Sequence, residues 1–291
     1  MWADMREPVV KAFPAAPGAP GNIDAMLKDV EARYITDAYH SLSIEGYRVT
    51  NALIAKVASG KWRPEANAAD AETRHAMAAH GYWLAHQEVT DSIRRILDGA
   101  PAGHVVSRDQ GAWYRALFTP SVNAGLLTAT DLAGYRAQPV YIQNAQHVPP
   151  APHAVRDLMP ALFDHLCEES HAGVRAVLGH FFFVFIHPYP DGNGRMGRFV
   201  MNTMLASGGY PWTVIPVEQR APYFAALEAA SVREDIAPFA RFVTARLASP
   251  VEGERTESSP PRVGADEPAP SPARVRSEEP SVAPRVDGPT A

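Results

Sequence analysis

The chain has 291 residues, 46% of them hydrophobic, and a formal net charge of −5. That length suits one sizeable domain or two small ones, and the mild acidity argues against a nucleic-acid-binding surface as the main business. A single cysteine, Cys167, leaves no internal disulfide, and the longest wholly apolar run, 181–186, is far too short to span a bilayer.

Residues 1–21, "MWADMREPVVKAFPAAPGAPG", are rich in Pro, Ala and Gly and read as an irregular arm. They lack a basic stretch leading into an apolar one, so a soluble protein is expected, and the lack of disulfides suits a cytoplasmic one. From Asn22 to about Ile44, Ile23, Met26, Leu27, Val30, Tyr34 and Ala38 recur at helical steps. A short helix capped by Thr50 or Asn51 follows and ends at Gly60. One long helix is expected over 66–97, broken by "GAPAGH", and a short one over "RDQGAWYRALF".

The stretch 135–150, "YRAQPVYIQNAQHVPP", differs in kind. Val140, Tyr141 and Ile142 favour a strand, Asn144-Ala145 can turn the chain, and Pro149-Pro150 stop a ladder. A small β-hairpin on a mainly α protein is the expectation. Helices resume at about 153–168, 172–186, 194–207, 218–231 and 235–247. Cys167 falls within the first of these and is expected to pack. After Ser249 no aromatic and almost no large aliphatic residue except Val occurs. A tail of that composition, 249–291, cannot offset its ordering entropy and is expected to be disordered.

Residues 187–198 read "HPYPDGNGRMGR". The run before His187 is apolar on every side, so its helix belongs at the centre of the domain. Pro188 and Pro190 force a loop, and Gly192 and Gly194 leave its N–H groups unshielded. A new helix starts near Gly194, so those groups arrive at a helix N-terminus, a ready anion site. Arg195 and Arg198 share one helix face and suit more than one phosphate. Asp191 makes sense beside them if a divalent cation such as Mg²⁺ bridges to the phosphates. His187 can accept a proton near neutral pH. These parts describe phosphoryl or nucleotidyl transfer to a hydroxyl.

The segment resembles the Fic motif, H-x-F-x-[DE]-G-N-G-R-x-x-R, with Tyr189 where that family usually has Phe. The resemblance spans roughly residues 22–247 and implies a Fic-type helical bundle. It implies an enzyme that, with Mg²⁺, transfers AMP from ATP to a Ser, Thr or Tyr hydroxyl of a target protein. His187 would be the base, Asp191 the metal ligand, and Gly192, Asn193 and Gly194 the anion hole. Arg195 would bind the β/γ region, and Arg198 the γ-phosphate. The segment 135–150 resembles the family's flap, where Val140, Tyr141, Ile142 and Gln143 would hold the target as an added strand.

"SLSIEG" resembles the family's inhibitory motif, [ST]-x-x-x-E-[GN], with Ser41 and Glu45 at the end of the helix over about 22–46. A bidentate pair of Glu45 with Arg198 would take the guanidinium that the γ-phosphate needs. The expected protein is an autoinhibited adenylyltransferase. Removal of AMP, transfer of phosphate or of another nucleotide, and a nucleotide-sensing interaction module remain open. Its partners would be ATP and a protein substrate, with neither DNA nor membrane, and a homodimer is compatible.

Overall fold

The computed structural model describes residues 1–61 and 74–247. Among them lie ten α-helices: α1 (Trp2–Ala12), α2 (Ile23–Ile44), α3 (Asn51–Ala58), α4 (Arg74–Leu97), α5 (Ala102–Asn123), α6 (Pro152–Glu168), α7 (Ala172–Ile186), α8 (Asn193–Ala206), α9 (Arg220–Arg233) and α10 (Ala237–Leu247). The tail expected at 249–291 and the start of the helix expected over 66–97 lie outside the described residues.

Local chemistry sets the helix ends. Asn22 caps α2 by accepting the Ala25 N–H at 2.9 Å, and Thr50 caps α3 by accepting that of Leu53 at 3.1 Å. Pro101 opens α5 and Ala151-Pro152 opens α6, where a missing donor costs nothing. The central helix is α7, with Val174, Val177, Leu178, Phe181 and Phe183 fully buried. It packs against α8, α6 and α1, while α4 and α5 form a second tightly packed pair. Among the described residues no helix is long and apolar enough to cross a membrane.

Three expectations need correction. The arm at 1–21 is irregular only from Phe13 onward, because Trp2–Ala12 is helical. Met5 and Val9 are fully buried, and α1 lies against α7 and α10. Tertiary burial of that stripe outweighs the proline inside the helix, Pro8. The arm beyond is tied down too, with Tyr210 Oη donating to Pro14 O at 2.7 Å and Gly18 N–H to Gly208 O at 3.0 Å.

The hairpin does not form a ladder. No strand occurs among the described residues. The turn is real: Asn144 is left-handed at φ 61°, and the Ala145 N–H donates to Ile142 O at 3.2 Å. Its arms are anchored sideways instead, because Pro139, Pro149 and Pro150 remove ladder donors. Gln146 N–H donates to Glu228 at 2.7 Å, and His147 Nε2 meets Phe185 O at 2.8 Å. Val140 and Ile142 are half-buried, whereas Tyr141 and Gln143 face solvent.

The third correction concerns Cys167, which is exposed rather than packed. Its thiol lies 3.5 Å from His104 Nδ1, and its backbone is packed closely, since a Cβ on Gly103 would lie 2.5 Å from Cys167 N. Partial burial raises the thiol pKa, with Asp164 and Glu168 adding to it.

The α4/α5 crossing depends on Gly81, where a Cβ would lie 1.9 Å from Leu117 O. The neighbour is backbone and cannot rotate away. Gly81→Ala therefore forces the helices apart and is expected to destabilise by on the order of 3 kcal/mol, measured as a shift in urea midpoint at unchanged slope.

Candidate active site

The loop between α7 and α8 is built from its ends. His187 closes α7 in the left-handed region at φ 53°, its N–H still bonded to Phe183 O at 3.0 Å. That geometry swings the chain out of the helix, and Pro188 prevents its return. Gly192, at φ 83°, then starts α8. A Cβ there would touch the Phe118 ring at 3.0 Å, so α5 presses directly on the loop.

Asn193 staples the loop shut. Its Oδ1 accepts the Tyr189 N–H at 2.9 Å and its Nδ2 donates to Tyr189 O at 2.7 Å. The side chain is thereby consumed, so any anion contact from Asn193 is left to its backbone. The opening N–H groups of α8 have no carbonyl behind them and carry the positive end of the helix dipole.

Tyr189 is the aromatic plug. It stacks on Tyr114 with ring centroids 3.6 Å apart, and its hydroxyl donates to Gln110 Oε1 at 2.5 Å. Gln110 therefore answers the hydroxyl that a Phe would lack. Sequence reasoning missed Gln110 and Tyr114, whose partner Tyr189 lies far along the chain.

His187 is half-buried, and its Nδ1 lies 3.2 Å from Val184 O. A carbonyl only accepts, so Nδ1 carries the proton and Nε2 keeps the lone pair. Burial, above all, pushes the imidazole pKa down to about 4, so the ring is neutral at pH 7.

The cations are deep. Arg195 is 1% exposed, its guanidinium carbon 5.1 Å from the Tyr47 ring centroid and 5.2 Å from that of Phe118. Its Nη2 donates to Asp191 at 3.2 Å, but its Nε and Nη1 have no hydrogen-bond partner among the described residues. Arg198 gives Nε to Ser41 Oγ at 2.8 Å and Nη2 to Ser41 O at 3.0 Å. Nη2 also reaches Glu45 Oε1 at 2.8 Å, and Nη1 is unpartnered among the described residues. The pair with Glu45 is thus single-pointed, not the bidentate fork expected, because Ser41 occupies Nε.

Glu45 lies over the loop as well as beside Arg198. A Cβ on Gly194 would stand 2.2 Å from Glu45 Oε1 and 3.3 Å from Arg198 Nη1. One turn up α2, Ser41 is buried, and one turn further Asp37 accepts a 2.5 Å bond from Tyr82 Oη. Burial pushes the Asp37 carboxyl up to about 6. Asp37 and Tyr82 carried no motif and were missed. The predicted flap residues Val140, Tyr141, Ile142 and Gln143 are half-buried and exposed in alternation, and the turn beside them comes from Asn144.

Asp191 is the exposed member, its side chain 58% accessible. One oxygen accepts the Gly192 N–H at 2.6 Å. Among the described residues no group of three or more His, Cys, Asp or Glu side chains could hold a metal unaided. A single open carboxylate fits Mg²⁺ delivered with phosphate oxygens and water, which is how that ion usually binds.

Residues 107–205 match the sequence model of the Fic/DOC family. The Protein adenylyltransferase Fic of Drosophila virilis is 30% identical over 224 residues, covering 75% of this chain and 42% of that one. Its Drosophila willistoni counterpart is 29% identical over 223 residues, covering 75% and 41%. The chain thus spans less than half the length of these curated relatives. Among solved structures, Fic-1 from C. elegans has a TM-score of 0.62 at 22% identity, covering 84% of this chain and 67% of that one. A Fic domain containing signaling protein from Bacteroides thetaiotaomicron scores 0.55 at 18% identity, covering 84% and 93%. At those identities the structures establish a shared fold.

The Tyr189–Gln110 bond gives a direct test of the plug. Tyr189→Phe is expected to cost about 1–3 kcal/mol by stranding a buried amide oxygen. The double variant Tyr189→Phe/Gln110→Leu should recover most of that loss in thermal unfolding.

Proposed function

From the premise that this chain belongs to the Fic/DOC family, we propose that it is a protein adenylyltransferase held in check by its own helix α2. The observation that carries the reading is the pair of buried arginines at the start of α8. Three guanidinium nitrogens, Nε and Nη1 of Arg195 and Nη1 of Arg198, lack a partner among the described residues. Buried cationic donors left unpaired are costly, and a polyphosphate chain would satisfy them. A neutral imidazole lies at the other end of the same loop. Binding alone needs no base, so transfer to a hydroxyl is the better account.

In the proposed reaction the target hydroxyl gives its proton to His187 Nε2. Its oxygen forms a bond to the α-phosphorus of ATP as the bond from that phosphorus to the bridging oxygen breaks. Pyrophosphate leaves, and AMP stays on the target. Asp191 would hold Mg²⁺, which when bound neutralises charge developing on the phosphate oxygens. Backbone N–H groups of Gly192, Asn193 and Gly194 would line the phosphates, with Arg195 and Arg198 toward the β and γ ends. The 140–143 segment, with Val140 and Ile142 half-buried and Tyr141 and Gln143 exposed, would receive the target main chain.

Glu45 is the proposed latch. Its carboxylate takes Arg198 Nη2 and fills the space above Gly194, both of which the γ-phosphate would need. ATP could then bind only out of line, and about 1 Å of misplacement can cost on the order of a hundredfold in rate. The seat of Glu45 over Gly194 also favours a second reading. With the latch relaxed, the carboxylate could direct a water at an AMP–protein bond and remove the nucleotide.

The test uses wild type, Glu45→Gly and Glu45→Gly/His187→Ala with Mg²⁺ and ATP labelled at the α- or the γ-phosphate. Protein-bound label from α-labelled ATP alone, strongest in Glu45→Gly and absent in the double variant, is the expected result. Label from γ-labelled ATP would make the enzyme a kinase, and equal label in wild type and Glu45→Gly would remove the latch. With an imidazole pKa of about 4, turnover of Glu45→Gly should hold from neutral pH down to about pH 5. It should fall only as the base is protonated through about 4.

A further inference from the structure

Arg136 belongs to no motif, yet it is 5% exposed and meets the end of α7 at several points. Its Nε donates to His187 O at 2.7 Å, and its Nη2 lies 3.4 Å from Ile186 O. Its own N–H donates to Pro188 O at 2.8 Å. The same guanidinium reaches away from the loop, with Nη1 on Gln138 O at 3.1 Å and Nη2 on Pro150 O at 2.5 Å. A cation that merely capped the helix C-terminus would need only the first set of carbonyls. The second set belongs to the two ends of the turn-bearing flap, and nothing about capping calls for it.

We propose that Arg136 is a positioning residue that fixes the backbone of His187 and both ends of the 138–150 flap to one another. The base and the target-docking segment then share one rigid reference. The proposal rests on the transfer reading above for its catalytic meaning, though not for its geometry. Left-handed His187 is a strained conformation for a residue with a Cβ, and such a conformation persists only where its surroundings over-determine it. Bonds to the carbonyls of Ile186, His187 and Pro188 do that. With the backbone fixed, the ring stays against Val184 O and Nε2 stays free. With the flap fixed to the same guanidinium, a main-chain-docked hydroxyl arrives at a set distance from Nε2. A forked, planar donor can serve these carbonyls together, whereas an ammonium cannot.

Arg136→Lys and Arg136→Gln, each in the Glu45→Gly background, test this against the Glu45→Gly parent. Mg²⁺–ATP affinity by calorimetry reports the phosphate-lining start of α8, Gly192 to Gly194, whereas Arg136 bonds only the opposite end of that loop. Ring nitrogen shifts of His187 at pH 7 report its tautomer without reference to activity. Turnover with α-labelled ATP reports transfer. Both variants should bind Mg²⁺–ATP as the parent does, lose the single Nδ1–H signature for a tautomer mixture, and lose turnover by on the order of a hundredfold. Parent-like ring shifts and turnover in both variants would overturn the proposal. So would loss of Mg²⁺–ATP affinity in step with turnover, which would make Arg136 a general prop of the fold. If the parent itself transfers no AMP, the transfer reading fails while the ring shifts still decide the clamp.

Discussion

A guanidinium cannot be taken out of water unless acceptors go with it, and Arg198 is 2% exposed in the middle of a helical bundle. Burial alone would lower its pKa, yet Glu45 and the nearby tyrosines Tyr223 and Tyr82 more than offset that and leave it raised. The acceptors come from one edge of α2. Ser41 offers both its hydroxyl and its carbonyl, and Glu45 offers a carboxylate oxygen. Asp37, Ser41 and Glu45 are spaced at four-residue steps, so all three fall on the face of α2 turned inward. The position of α2 is therefore set by the needs of a charge on α8. A phosphate at the same place would offer comparable acceptors, and on the proposed reading this equivalence would make the helix a competitor of the nucleotide.

The loop beside that charge is rigid for separate reasons. Asn193 ties it to Tyr189, Tyr189 to Tyr114 and Gln110 on α5, and Phe118 presses on Gly192. Each of these contacts is internal to the protein and makes no demand on a ligand. The donors left over are the start of α8 and three arginine nitrogens, so the site is pre-shaped rather than assembled around its substrate.

Much of this was legible in the sequence. The apolar run before His187, the glycines after it and the arginines three apart dictate a buried helix, an open loop and a cationic face by short-range rules. Glu45 and Ser41 carry no short-range signal of their own, since their contacts with Arg198 span 153 and 157 residues. The failures were of one kind. In Trp2–Ala12 the proline argues locally for irregular chain, whereas the burial against α7 and α10 that outweighs it is a tertiary effect. The flap was given a ladder by strand propensity, whereas its polar groups are met by Arg136, Glu228 and the α7 backbone. Arg136, Gln110 and Asp37 act through partners far away in sequence, so no local pattern marks them.

Gly194 carries a consequence beyond its freedom of backbone. The volume where its side chain would stand is already filled by a Glu45 oxygen, 2.2 Å from the missing Cβ. Position 194 and position 45 therefore form a mutually exclusive pair. A residue larger than glycine at the one displaces the flexible carboxylate of the other from its present seat. The side chains of the loop and of the helix that covers it therefore share one volume at these two positions.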